Sequence, residues 1–209
     1  MLGGGLPGAY RRVEYLESSG TQAINTGITP SSEFYVKFDL INTYENGNSG
    51  LGGAKEGGTW GVYCYMSGEA AVSDPEKNNR SGCAYGHNNV YTSNKNSLFA
   101  GQRYLIEYRL SPSQGLQVYI NGVLQSTNTY DDPTVSIPWY LFANNTDGRV
   151  DTSRVSKIKL FSLEMGKQNQ IVRNLVPCVR KSDNKPGMYD TVSHTFYTNA
   201  GTGEFIVPN

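Results

Sequence analysis

The sequence predicts an all-β domain built from two packed antiparallel sheets, and three observations carry that reading. Fifteen tyrosines, seven phenylalanines and two tryptophans are set among Gly, Asn and Ser turns rather than helix-favouring runs. Gln102–Thr129 reads as a three-stranded meander. Leu116, Val118 and Ile120 alternate with Gln117, Tyr119 and Asn121, and Asn121-Gly122 supplies a two-residue hairpin turn. No segment has helical periodicity. A meander cannot bury its apolar face alone, so the rest of the chain is expected to supply a covering sheet.

Taken in order, residues 1–9 are Gly-rich and read as a linker or cut end, leaving 10–209 as one sandwich domain. Val13, Tyr15 and Leu16 suggest a first strand, and Ser18–Gly20 turns into a second. Phe34–Leu40 alternates cleanly, with Phe34, Val36, Phe38 and Leu40 on the core side and Tyr35, Lys37 and Asp39 outside. Ser49–Gly53, Trp60–Met66 and Ala70–Ser73 are further expected strands, and Asp74–Asn89 is expected to be a long loop of the kind that carries function. After the meander, Ile137–Ala143 reads as a short apolar strand limited by Pro138, and 144–152 as a second polar loop. Arg154–Leu163 alternates imperfectly, which suggests a bulge, and Gln170–Val176 follows as another strand.

Lys plus Arg equals Asp plus Glu at 18 each, so no net field attracts nucleic acid or an anionic membrane. No run approaches the roughly 18 apolar residues of a membrane helix, so membrane insertion is not expected. Three cysteines, Cys64, Cys83 and Cys178, are too few for a disulfide framework. They read as small buried thiols, with a Cys64–Cys83 bridge as the alternative.

The two ends add a resemblance. Tyr10–Gln22, Val176-Pro177-Cys178, Gly187–Asp190 and Phe196–Gly203 resemble the ends of a domain common in tailed-phage virion proteins and prophage-encoded proteins of gut bacteria. That domain is similar to the laminin-G-like, concanavalin-A-like jelly-roll group, and the likeness spans the chain after the linker. Where family members carry an aromatic residue and an Asp, this chain has Ala23 and Asn25, so no ligand is transferred. The resemblance implies a jelly-roll sandwich with its ends closing together, Tyr189–Phe205 beside Val13–Ile24. It also implies a non-catalytic module on a virion or bacterial cell surface.

Residue by residue, binding is favoured over catalysis. Glycosidases need two carboxyl groups at fixed separation, and neither Glu14 with Glu17 nor Asp131-Asp132 offers such a pair in sequence. His87 and His194 lack neighbours at zinc spacing, and no Gly-x-Ser-x-Gly elbow occurs. Asp147 and Asp151, in a loop rich in oxygen ligands, are the candidates for calcium, although the same residues suit an ordinary turn; no other cofactor is expected. Trp60, Tyr63, Tyr65, Tyr85, His87, Asn88, Asn89 and Tyr91 gather rings that stack on apolar sugar faces and amides that match hydroxyl pairs. Alternation also requires one or two of Trp60, Tyr63 and Tyr65 to point inward. The expected partner is bacterial surface glycan or another host receptor, alongside other virion proteins and further copies of the chain. The alternatives are a structural decoration or oligomer-interface domain and, third, a polysaccharide depolymerase.

Overall fold

The computed structural model describes residues 6–45, 47–67 and 79–208, apart from the side chains of Thr152 and Val155. Two sheets face one another, and no helix occurs among the described residues. The first sheet runs β11 (Val123–Asn128), β10 (Gly115–Ile120), β9 (Arg103–Ser111), β4 (Phe34–Asn42), β15 (Ile158–Lys167), β16 (Gln170–Arg180), β17 (Lys185–Asp190), β18 (Thr195–Tyr197). In addition, β1 (Tyr10–Arg12) lies beside β16 and β2 (Leu16–Glu17) beside β15. The second sheet runs β14 (Arg149–Val155), β13 (Ala143–Thr146), β5 (Asn48–Glu56), β6 (Thr59–Ser67), β7 (Arg80–Gly86), β8 (Asn88–Tyr91). There β12 (Tyr140–Leu141) bridges β5 and β3 (Ile24–Asn25). The pairings are antiparallel except that β13 lies parallel to β5, with Asn144 opposite Gly53.

Strand alternation decides what fills the space between the sheets. Phe34, Val36, Phe38 and Leu40 of β4 are buried, as are Leu116, Val118 and Ile120 of β10, and both join the main core. From the second sheet come Leu51, Ala54, Val62, Cys64, Met66, Cys83 and Tyr85. Trp139 ties the two layers together. Its ring, fully buried, lies 6.0 Å from that of Phe38, and its indole N–H donates to the Val62 carbonyl of β6 at 2.9 Å. A buried indole needs such an acceptor, because an unpaired N–H in the core costs about 1–3 kcal/mol.

The central meander forms with its expected strands, and Asn121 and Gly122 both have positive φ, 51° and 80°, as the hairpin turn demands. The bulge expected after Arg154 is present in β15, between Leu160 and Ser162 against β4. The ends do close together. Arg12 is opposite Cys178, Glu17 bridges Ile206, and the Ala200 and Thr202 amides donate to the Ala23 and Thr21 carbonyls.

Several expected elements differ. At the N-terminus the strand is Tyr10–Arg12, because pairing with β16 rather than local alternation selects it; Val13 and Tyr15 lie outside it. Ile137–Ala143 is not one strand. Phe142 has φ 67°, which breaks it into β12 and β13. The polar loop expected at 144–152 is a hairpin, turned by Asp147 and Gly148 at φ 49° and 83°. Most of the second half of the expected long loop is also a hairpin: β7 pairs with β6 and β8 around Gly86 and His87. The strand expected at Ala70–Ser73, and Asp74–Asn78 of the loop, lie outside the described residues.

Trp139→Ala should lower the unfolding free energy by about 3–5 kcal/mol, since the cavity would face both sheets and the Val62 carbonyl would lose its donor. Urea unfolding would show this as a lower midpoint at nearly unchanged slope.

Candidate functional site

The outward face of the second sheet carries a row of aromatic rings. By period two, Val62, Cys64 and Met66 of β6 enter the core, so Tyr63 and Tyr65 point the other way. Trp60 is three residues from Tyr63 and would fall on the opposite face of a regular strand. A bulge prevents this: Ala54 opposes Val62 while Lys55 opposes Trp60, which leaves Gly61 as the extra residue. The result places Trp60 5.2 Å from Tyr63 and Tyr63 5.4 Å from Tyr65, with ring planes only 24° and 25° apart. Tyr91 of β8 meets Tyr65 edge-on at 6.0 Å. None of Trp60, Tyr63 and Tyr65 points inward, which corrects the alternation argument.

Glycines make the row fit. A Cβ at Gly82, the residue opposite Tyr65, would stand 2.1 Å from the Tyr65 ring, and one at Gly53, opposite Tyr63, 2.8 Å from that ring. Both tyrosines therefore lie close against the sheet and are buried, at 4 % and 8 % exposure. Trp60 and Tyr91, at the two ends, stay half-exposed. Cations flank the rings. Arg154 lies 5.2 and 5.3 Å from the Trp60 and Tyr63 centroids, Lys55 4.6 Å from Trp60, and Arg80 5.1 Å from Tyr91. The Tyr65 hydroxyl donates to Asn89 Oδ1 at 3.1 Å, which fixes that exposed amide beside the rings.

Five of the eight residues singled out from sequence thus share one face: Trp60, Tyr63, Tyr65, Asn89 and Tyr91. Tyr85 does not. Its strand position turns it into the core, fully buried, with its hydroxyl donating to the Thr129 carbonyl at 2.9 Å. Asn88 is opposite Tyr85 in the ladder and so lies on that same inner side. His87 is at the turn, exposed, with its amide donating to Asp131, and that bond holds the Asp131 carboxyl below its ordinary pKa. Lys55 and Arg154 were not legible as site residues, because β5 and β14 reach this face only through sheet pairing.

Asp147 and Asp151 occupy the neighbouring hairpin, where local donors engage their carboxylates. Asp147 accepts the Gly57 amide at 2.9 Å, and Asp151 accepts the Ser153 amide and hydroxyl at 3.0 and 2.6 Å. Burial acts to raise the Asp151 carboxyl, but Ser153, Thr146 and Arg154 outweigh it and hold the group low. No cluster of three or more His, Cys, Asp or Glu side chains suited to a metal occurs among the described residues.

Burial pushes the Tyr63 phenol up to about 12, against the opposing pull of Arg154, and raises Tyr65 further.

No protein-family model matches the sequence, and no curated protein matches it. Solved structures do resemble the fold. A candidate carbohydrate-binding protein from Bacteroides ovatus superposes with a TM-score of 0.64 at 13% identity over 95% of this chain and 60% of that one. This chain therefore spans about three fifths of that protein's length. The CBM40 of a Ruminococcus gnavus IT-sialidase, bound to α2,3-sialyllactose, gives 0.55 at 11% identity over 78% and 93%. A heptameric SAP-like pentraxin from Limulus polyphemus gives 0.53 at 13% over 74% and 73%. At these identities the likeness establishes the fold, a concanavalin-A-like jelly-roll sandwich.

Because the folded pKa of Tyr63 lies above its ordinary 10.0, the neutral phenol is the form the fold favours. Its contribution to stability is complete below about pH 10 and is lost as pH rises towards 12. Denaturant midpoints measured from pH 8 to 12 should fall across that window, and fall less steeply in Tyr63→Phe.

Proposed function

We propose that the protein is a non-catalytic carbohydrate-binding module whose glycan lies across the outward face of the second sheet. The observation that carries this reading is the ring row. The outward face of the second sheet gathers Trp60, Tyr63, Tyr65 and Tyr91 in one row, buried at its centre and partly exposed at its two ends. Trp60 and Tyr91 present exposed ring surface for the apolar faces of sugars, while Tyr63 and Tyr65 hold the pair at fixed spacing. Asn89, Lys55 and Arg154 supply donors and acceptors for hydroxyl groups at the rim. The carbohydrate-binding proteins that share the fold support the reading by analogy.

As the carrier of the module we propose a tailed-phage appendage or a bacterial surface protein, with surface glycan as the partner; the support is the resemblance of the two chain ends. The spacer or oligomer-interface alternative draws no support from the rings, since Tyr63 and Tyr65 are already buried within one chain.

Trp139 is sealed in the core, so a change in tryptophan emission on titration with glycan reports on Trp60. Binding to surface polysaccharides should weaken about tenfold or more in Trp60→Ala and in Tyr91→Ala, with unchanged circular dichroism. Absence of binding across a broad set of bacterial polysaccharides by the folded wild type would overturn the proposal.

A further inference from the structure

Cys64 and Cys83 are directly opposed in the antiparallel ladder between β6 and β7. Opposed residues in such a ladder have Cα atoms about 4.5–5.5 Å apart, inside the span of about 4.4–6.8 Å that a disulfide bridges. Both side chains leave the sheet on its inner face, and both are fully buried free thiols. Cys178 is held apart, packed with Val176 and Tyr189 on the other sheet. We infer that Cys64 and Cys83 form a dithiol–disulfide couple, a site of thiol–disulfide exchange that takes a small-molecule disulfide as its oxidant and closes a cross-strand bridge.

The chemistry balances without further reagents. One cysteine thiolate attacks the oxidant RSSR, forming a mixed disulfide and releasing one RS⁻. The second cysteine thiolate attacks the protein-bound sulfur of that mixed disulfide and expels the other RS⁻. The two cysteines together lose two electrons and two protons, and the oxidant takes them up as two RSH. Burial raises the Cys64 thiol well above its ordinary pKa, so the packed sheet reacts slowly. Exchange belongs to the opened or folding chain, before β6 and β7 seal the pair.

The bridge would also bear on the ring row. Tyr63 and Tyr65 flank Cys64, and Gly82 and Ala84 flank Cys83. A covalent tie between the two central residues fixes Tyr65 over Gly82 from the opposite side of the sheet.

The test is to unfold the protein in denaturant and refold it in oxidised and reduced glutathione, with a parallel sample kept in dithiothreitol. The oxidised sample should lose about two mass units and keep one alkylatable thiol, at Cys178. Trypsin cuts at Arg80, between the two cysteines, so the Cys64 and Cys83 peptides should appear joined until reduced. The melting temperature should rise by about 5–10 °C, because the bridge closes a loop of the unfolded chain. Cys178→Ser should leave all of this intact, while Cys64→Ser should abolish the joined peptide and the response to oxidant. Three alkylatable thiols in the refolded, oxidised protein would overturn the inference. So would a bridge that involves Cys178 or joins two chains. If Cys64→Ser does not fold, the wild-type peptide map alone decides.

Discussion

Every strand here has two faces and only one of them can be used to hold the sheets together. That constraint, imposed by the period of the extended chain, organises the molecule. Once Val62, Cys64 and Met66 are committed to the core with Trp139, their neighbours are committed to the outside, whatever they are. On β4, β9 and β10 of the first sheet the outward residues are mostly what water prefers: Tyr35, Lys37 and Asp39, Glu107 and Arg109, Gln117 and Tyr119, whereas β16 and β17 turn Val176, Cys178 and Tyr189 outward against Tyr10 and Phe196. On β4 and β10 the outward aromatic residues are tied to polar or charged groups, with Tyr35 donating to Glu164 at 3.1 Å and Arg109 lying 5.6 Å from the Tyr119 centroid. On the second sheet the outward residues of β6 are rings stacked on rings. The outward apolar residues of β16 and β17 pack with Tyr10 of the N-terminal strand β1, whereas the row centred on β6 ends in Trp60 and Tyr91, which are partly exposed.

The cost of placing rings on that face is met by removing side chains elsewhere. Gly53 and Gly82 have neither positive φ nor a turn to explain them; the Tyr65 ring occupies the volume a Cβ at Gly82 would need, and Asn144 Oδ1 together with the Tyr63 side chain occupies it at Gly53. Glycine within a strand weakens it by loss of entropy and packing. Here the lost contacts are replaced by the tyrosine faces themselves, so the sheet and the row stabilise each other. The two partly exposed rings stand at the ends of a stack whose middle members are immobilised, an arrangement that limits the ordering a ligand would have to impose.

How much of this was legible follows from how local each signal is. The Gln102–Thr129 meander could be read because its alternation and its Asn-Gly turn are contained in one short stretch. The hairpin from Arg80 to Tyr91 could not. Its small residues, Ser81, Gly82, Cys83 and Ala84, look like loop until Tyr65 is known to lie over Gly82 and Cys64 opposite Cys83. Likewise Trp60 joins Tyr63 only through the extra residue at Gly61, and a single inserted position is invisible to any count of alternation. Tyr85 shows the reverse error. Its place in an aromatic-rich run suggested exposure, but once the run is a strand its parity sends it into the core. The site was thus recognisable by composition and misassigned by parity.

Parity also explains why the face is not simply aromatic. Lys55 and Arg154 come from β5 and β14, on the far side of β6 from Tyr91; Lys55 reaches the row directly, opposite Trp60, and Arg154 does so because β13 runs parallel to β5 and carries the β14 hairpin with it. A cation above a ring uses its electron-rich face and at the same time keeps polar hydrogens at the rim, so the edge of the row stays wet where its centre is dry. A wholly apolar strip of this size would invite association with other chains. A strip whose centre is buried by its own tyrosines, and whose ends are a half-exposed tryptophan and a half-exposed tyrosine bordered by cations and an amide, is better matched to a ligand that alternates apolar faces with hydroxyl edges. That alternation is the surface chemistry of a sugar ring.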